Sequence, residues 1–276
     1  MTGRAVIDYG RLLHRLGIEA ELLAASVDER RLEELVPGCP GLTLGETARH
    51  VGSHHRRAWW WIREGPRPIE WQRAPAPGQS LPGFVRSGVA PLVAELSAHE
   101  PDEPSSTWWP ADRTYGFWRR RMAHETTVHR VDVQGAAGIE IDEVAEDIAV
   151  DGIDEVLTLW FEHRLAELNI TGTRAHTVAI RTGGREWLAT ADPDRTSTRR
   201  AWSAEDDPPG DRPAWVDPAE EERWTAEAVV SGSPMEVYLW LWGRVSNQRV
   251  QLSGDRDGIA QLWALLRLAT RLREAV

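Results

Sequence analysis

The residue types with the most chemical potential lie in one segment, Phe117-Trp118-Arg119-Arg120-Arg121-Met122-Ala123-His124-Glu125-Thr126-Thr127-Val128-His129-Arg130-Val131-Asp132. Glu125 and His129 are four residues apart, so on a helix both side chains project from one face, which Trp118, Asp132 and Ala136 share. A carboxylate and an imidazole on a stripe headed by tryptophan point inward, and buried ionisable groups require a partner or a metal. A second segment, His50-Val51-Gly52-Ser53-His54-His55, again sets two histidines, His50 and His54, four apart. If the helices carrying these segments face each other, His50, Glu125 and His129 converge on one divalent ion. Three protein ligands leave positions open for water or substrate, as in catalytic rather than structural zinc sites. Imidazole and carboxylate suit zinc, and nickel, iron, cobalt and copper accept the same donors.

The spacing also has a plainer reading. Glu–His pairs four apart are common on helix surfaces and contribute little there. His54 and His55 read as pocket wall or surface rather than as ligands. The Arg119–Arg120–Arg121 run is by default solvated or ion-paired, although successive residues turn by about 100° and one member can reach inward. Cys39, the only cysteine, sits in a Pro-Gly turn with no base nearby in sequence, which argues against a nucleophile.

The elements that must position these groups are legible from periodicity and punctuation. Leu12, Leu13, Leu16, Leu22 and Leu23 predict a helix over 4–25. Pro37-Gly38-Cys39-Pro40-Gly41 marks a sharp turn. Thr43 with Glu46 forms a capping-box pair, so a second helix is expected from there to about Arg63. Prolines make 65–82 a loop, a third helix is expected over 83–98, and Thr114 is a candidate cap for a fourth ending near Gly135 or Gly138. Four helices with two long loops predict a helical bundle. Asp142 is the expected cap of a fifth helix reaching Leu168. The period then changes. His176–Arg181 and Glu186–Ala191 read as a hairpin around Thr182-Gly183-Gly184-Arg185. An acidic loop over 205–218 precedes a third strand, Trp224–Val230; Ser233-Pro234 starts a helix to Arg244; Val250–Ser253 is a fourth strand; Asp255 caps a last helix to about Arg273. That order predicts a mixed α+β second domain.

Composition narrows the function classes. The 276 residues carry 43 acidic and 32 basic side chains, a net charge of −11, which disfavours nucleic acid and anionic membranes as partners. No apolar run approaches the roughly 18 residues of a membrane span, and the first residues lack the apolar core of a signal peptide. One cysteine excludes an internal disulfide and a cysteine-built zinc site, and a cytoplasmic location is expected. All 32 basic residues are arginine, a coding bias that fits a high-GC organism. The 15 tryptophans supply large apolar area with one donor each.

Three stretches resemble one actinobacterial family in residue type and order: Val36-Pro37-Gly38-Cys39-Pro40-Gly41-Leu42-Thr43, then Thr47-Ala48-Arg49-His50-Val51, then Phe117 through Asp132. It is the mycothiol-dependent maleylpyruvate isomerase family, and the most specific piece is Arg120-Arg121-Met122-Ala123-His124-Glu125 followed by His129. Asp151-Gly152-Ile153-Asp154-Glu155-Val156-Leu157, Leu241-Trp242-Gly243-Arg244 and Gly254-Asp255 are similar to the family's carboxy-terminal domain, so the resemblance spans nearly the whole chain. It departs at Leu42, where the family commonly has tryptophan.

The resemblance implies an α+β chain of two domains. Residues 1–140 would form a DinB-like metal-binding four-helix bundle and 141–276 a small α/β domain similar to sterol-carrier proteins. It implies a metal triad of His50, Glu125 and His129, with zinc the usual metal and mycothiol the thiol cosubstrate. Arg244 matches a tail-domain arginine that meets an anionic substrate or the thiol, and Arg121 and His54 stand beside the triad as candidate cofactor contacts. The implied chemistry is addition of a thiolate, the nucleophilic form of a thiol, to an unsaturated small molecule, followed by rotation and elimination to the trans isomer. Two other functions fit the same residues: a mycothiol S-transferase that keeps the adduct in detoxification, and a metal- or ligand-binding protein without turnover. The expected assembly is a monomer or homodimer.

Overall fold

Residues 3–39, 41–65, 70–201 and 225–271 are described by the computed structural model. The chain divides into two compact units, one formed by residues 2–148 and one by 149–275. The architecture is α+β, with helices alone in the first unit and a five-stranded sheet in the second.

The first unit is built from α1 (Tyr9–Ala25), α2 (Leu44–Glu64), α3 (Leu81–Ser97) and α4 (Tyr115–Ala137). Helix α1 starts later than the leucine pattern implies, because Asp8 caps it by accepting from the Arg11 amide. The Thr43–Glu46 capping box of α2 is formed in both directions. Thr114 occupies the N-cap position of α4 without capping it: its hydroxyl donates to Asp112 instead. Helix α1 packs on α3 and α4, and α2 packs on the same two, so α2 and α4 are direct neighbours. Leu23, Val36, Leu44, Val51, Phe84 and Val133 form one buried cluster. Helices α2 and α3 approach closely at Gly52, where a Cβ would lie 2.7 Å from the Phe84 ring.

Charge is buried in this unit as well. Glu19 and Arg130 are both fully buried and pair at 2.7 Å, with Arg15 on the same carboxylate and the Asp142 carbonyl on the same guanidinium. That network sets aside the expected role of Asp142 as a helix cap. Its backbone amide and carboxylate bond Gln134, and the next helix, α5, begins only at Glu146.

Helix α5 (Glu146–Glu155) begins in the last residues of the first unit and runs on in the second through a π-helical stretch, Val156–Arg164, and a last turn, Leu165–Glu167. The strands are β1 (His176–Thr182), β2 (Arg185–Ala191), β3 (Thr196–Arg200), β4 (Ala228–Ser231) and β5 (Gln251–Gly254), in sheet order β3-β2-β1-β4-β5. Only the β1–β4 pair is parallel. Helix α6 (Pro234–Leu241) has the Ser233–Glu236 capping box, and α7 (Arg256–Arg271) packs against β1 and β4.

Strand β3 is absent from the sequence reading, since Thr-Ser-Thr-Arg-Arg has no apolar alternation. Its stability is polar. Thr196 and Thr198 donate to the carbonyls of Phe161 and Leu157 in the π-helical stretch. Arg200 grips the fully buried Asp154 carboxylate through two nitrogens at 2.7 Å, and the Trp187 indole donates to the same group. The 205–218 loop expected from the sequence lies outside the described residues.

Candidate metal centre

The two segments singled out for their chemistry face each other across the α2–α4 contact. Their shared face follows from helical period: His50 and His54 lie one turn apart on α2, and Glu125, His129 and Asp132 lie on one stripe of α4. Glu125 Oε1 is the point of convergence. It lies 3.0 Å from His50 Nε2, 3.3 Å from His54 Nδ1 and 3.4 Å from His129 Nε2. The other carboxylate oxygen, Oε2, accepts from Arg121 at 2.7 Å. Behind His129, Asp132 Oδ2 lies 2.9 Å from Nδ1. The His54 ring lies against that of His50, with centroids 3.9 Å apart and planes tilted by 41°.

The site is graded in exposure. Arg121 and Asp132 are buried, His129 and Glu125 nearly so, and the side chains of His50 and His54 are 36% and 30% exposed. The cluster therefore opens to solvent on its α2 side and is closed on its α4 side.

Its electrostatics separate the histidines. Burial, then the neighbouring His54, push the His50 imidazole down to about 4, against the pull of Glu125. Burial works against charge on His129 too, but Glu125 and Asp132 overcome it and raise that imidazole to about 9. Glu125 is held well below the usual carboxylate range: burial opposes this, and His129, with hydrogen bonds from the three imidazoles, prevails. Without metal, at neutral pH, the cluster holds a carboxylate, an imidazolium at His129 and a neutral His50.

The donor set fits a divalent metal. One nitrogen from each of His50 and His129 and one oxygen from Glu125 lie within 4.8 Å of one another. A tetrahedral zinc site with bonds of about 2.0–2.1 Å holds its ligand atoms about 3.3 Å apart, close to the distances found here. Asp132 supplies the carboxylate that metal-binding histidines commonly carry on their other nitrogen.

The remaining expected residues fall out differently. His54 joins the cluster, beside the triad. His55, read as pocket wall or surface, is fully buried, its Nε2 2.8 Å from Thr126 Oγ1, and burial pushes it down to about 3. None of the three arginines at the start of α4 is a solvated face. Arg119 donates to the carbonyls of Leu96 and His99, Arg120 to that of Gly3, and Arg121 to Glu125. Arg244 belongs to the second unit, where its guanidinium donates to the Trp242 carbonyl at 2.7 Å. Sequence reasoning placed Asp132 on the right face but missed its bond to His129; the three-residue spacing carried that signal. It also missed Trp71, whose indole donates to Ser53 on α2 and whose ring lies near the Arg57 guanidinium.

A four-helix unit with a His–Glu–His cluster between two of its helices, joined to an α/β unit, defines a class of two-part α+β proteins with a candidate metal centre. Comparison with known proteins makes the assignment specific. The family model for the mycothiol maleylpyruvate isomerase N-terminal domain matches residues 13–134, and that for the family's C-terminal domain matches residues 179–261. Together they span most of the chain, which belongs to the mycothiol maleylpyruvate isomerase family. The crystal structure of the mycothiol-dependent maleylpyruvate isomerase, and that of a histidine-to-alanine mutant of it, share this fold. Each aligns with a TM-score of 0.56 at 15% sequence identity, covering 90% of this chain and 95% of the other. No curated protein sequence matches the chain significantly. Among the described residues no helix is long and apolar enough to cross a membrane.

Proposed function

We propose that this chain is a mycothiol-dependent isomerase whose divalent metal, zinc in the first instance, is held by His50, Glu125 and His129. The observation that carries the reading is the meeting of these three side chains from α2 and α4, with Asp132 behind one of them and Arg121 behind another. A bound divalent cation lowers the pKa of a coordinated thiol, which is near 8.5 when free, and so supplies a thiolate at neutral pH.

The chain's own residues do the rest. Arg121 engages one oxygen of Glu125, which aims the other at the histidines. Asp132 holds His129 Nδ1 and turns Nε2 toward the cluster. His50, kept neutral by burial, needs no deprotonation to act as a ligand. His54 lines the solvent side, where the thiol enters. In the proposed turnover the thiolate sulfur bonds to one carbon of a carbonyl-activated cis double bond, whose π pair moves onto the carbonyl oxygen as an enolate and returns after rotation to expel the thiolate. Rotation about the resulting single bond and loss of the thiolate return the trans isomer. Arg244 is assigned to the anionic substrate or the thiol, on its place in Leu241-Trp242-Gly243-Arg244 and the family membership.

The test is elemental analysis of the wild type and of His50→Ala, Glu125→Ala and His129→Ala, followed by assay of the metal-loaded wild type with mycothiol. Loss of stoichiometric metal in each variant, with the helical content retained, supports the site, and unchanged metal in all three removes it. Maleylpyruvate converted with the thiol recovered supports the isomerase; an accumulating thiol adduct would make the chain an S-transferase instead.

A further inference from the structure

Among the described residues, a second group of side chains, wholly within the second unit, brings metal-binding atoms together. His176 opens β1, Glu227 immediately precedes β4, and Asp255 links β5 to α7. One imidazole nitrogen and one oxygen from each carboxylate all lie within 4.8 Å of one another. His176 Nδ1 is 2.9 Å from Asp255 Oδ2 and 3.4 Å from Glu227 Oε2. Ligand atoms around a tetrahedral zinc ion stand about 3.3 Å apart.

The plainer reading is a histidine paired with two carboxylates, and the direction of the ring nitrogen speaks against it. Elsewhere in the chain a histidine Nδ1 at 2.9 Å from a carboxylate makes a directed hydrogen bond, as His99 does with Glu103 and His129 with Asp132. His176 Nδ1 stands at the same distance from Asp255, yet it is aligned for a hydrogen bond with neither carboxylate and is buried from water. Native proteins rarely leave a buried ring nitrogen so. A metal ligand has this disposition, because its lone pair points at the ion and the other ligands lie to the sides.

The backbone holds the three groups in place. The Glu227 amide donates to the Thr177 carbonyl and the Asp255 amide to the Glu227 carbonyl, each at 3.0 Å. Gly254 has a φ of +80°, and a Cβ there would collide with the Glu227 carbonyl, so only glycine lets the end of β5 bring Asp255 this close. Gly258, in the first turn of α7, lies against the His176 ring, with a Cβ there 3.3 Å from its Cγ. Both carboxylates are oriented. Asp255 Oδ1 accepts from the Asp257 amide, which leaves Oδ2 toward His176, and Glu227 Oε2 accepts from the Thr177 amide. The His176 side chain is 14% exposed and that of Glu227 52%, so the group is closed on the β1 side and open to solvent on the other.

We infer that His176, Glu227 and Asp255 form a second divalent-metal site, which ties the start of β1, the entry to β4 and the β5–α7 junction together. A neutral imidazole and two carboxylates balance a charge of +2, and the imidazole selects zinc and its neighbours over magnesium and calcium, which favour oxygen ligands. With one imidazole and two partly exposed carboxylates it is the weaker of the two sites, filled from added metal rather than retained through purification. It shares no residue with the triad and does not rest on the isomerase reading.

The experiment is equilibrium dialysis of the full chain against zinc with magnesium in excess, in a His129→Ala background that breaks the triad. That variant should take up one zinc per chain. Adding His176→Ala or Asp255→Asn should abolish the uptake; asparagine remains a good helix cap, so α7 is kept. Adding His99→Ala, at another histidine between carboxylates, should leave it at one. Zinc should also raise the Tm of the His129→Ala variant saturably, by about 5 °C near saturation, and not that of the variant lacking His176 as well. No uptake by His129→Ala would overturn the inference, as would uptake that survives both further substitutions or falls equally with His99→Ala. If His129→Ala does not fold, the otherwise wild-type chain decides: two zinc ions per chain should fall to one in His176→Ala and in Asp255→Asn, and an unchanged count refutes the site. A single zinc lost with His176→Ala but not with His50→Ala would uphold this site while removing the triad.

Discussion

Metal affinity should depend steeply on pH, and His129 sets the slope. To act as a ligand through Nε2, His129 must surrender the proton that Glu125 and Asp132 favour on it. With that imidazole raised to about 9, the deprotonated fraction grows about ninety-fold between pH 6 and pH 8. An ordinary histidine of pKa about 6.5 changes by only about fourfold over the same interval. His50, pushed down to about 4, and Glu125, held low, add nothing in this window. The dissociation constant for zinc should therefore tighten by roughly two orders of magnitude from pH 6 to pH 8 and level off above pH 9. Competition with a chromophoric chelator, corrected for the chelator's own protonation, measures it. Calorimetry at pH 7 in two buffers of different ionisation enthalpy should show close to one proton released per metal. A fourfold change, or no proton release, would refute the assignment of His129 as a protonated ligand in the resting cluster.

The metal-free protein should show the opposite trend in stability. The folded pKa of His129 is above the unfolded one, so its contribution is complete below pH 6.5 and lost as pH rises through about 9; urea titrations in chelator at pH 6.5 and 9 test this. Asp132→Asn should weaken zinc binding by about 10- to 100-fold and flatten its pH slope while circular dichroism is unchanged; wild-type affinity would show that the contact is idle. Glu19→Ala, which strands Arg130 in the bundle interior, should lower the unfolding free energy by about 3–5 kcal/mol. Glu21→Ala, in an exposed pair with Arg86, should cost under about 1 kcal/mol, and comparable losses in the two variants would contradict the burial argument. Gly52→Ala should destabilise by about 1–3 kcal/mol despite alanine's better helix propensity, because the added methyl meets the buried Phe84 ring; a rise in Tm would show that α3 yields.

Much of the architecture was readable because its signals are local. The leucines of α1, the Thr43–Glu46 capping box, the Ser233-Pro234 helix start and the Thr-Gly-Gly-Arg turn each act within a few residues, and each marks an observed element. Errors arose where a local signal met a distant competitor. Asp142 is a good cap by type, yet Gln134 and Arg130 claim it. Thr-Ser-Thr-Arg-Arg is a poor strand by pattern, yet the carbonyls of the π-helical stretch and the Asp154 carboxylate hold it in the sheet.

The candidate site divides along the same line. Chain order alone determined that Glu125 and His129 share a face, and that His50 and His54 share another, because a helix repeats every 3.6 residues whatever surrounds it. That those faces meet, that Arg121 bonds Glu125, and that Arg267 lies buried beside Gly243 were decided by packing. Helical period is a property of neighbouring residues, whereas the choice of which helix lies against which depends on apolar faces far apart in the chain, and only their joint burial selects it.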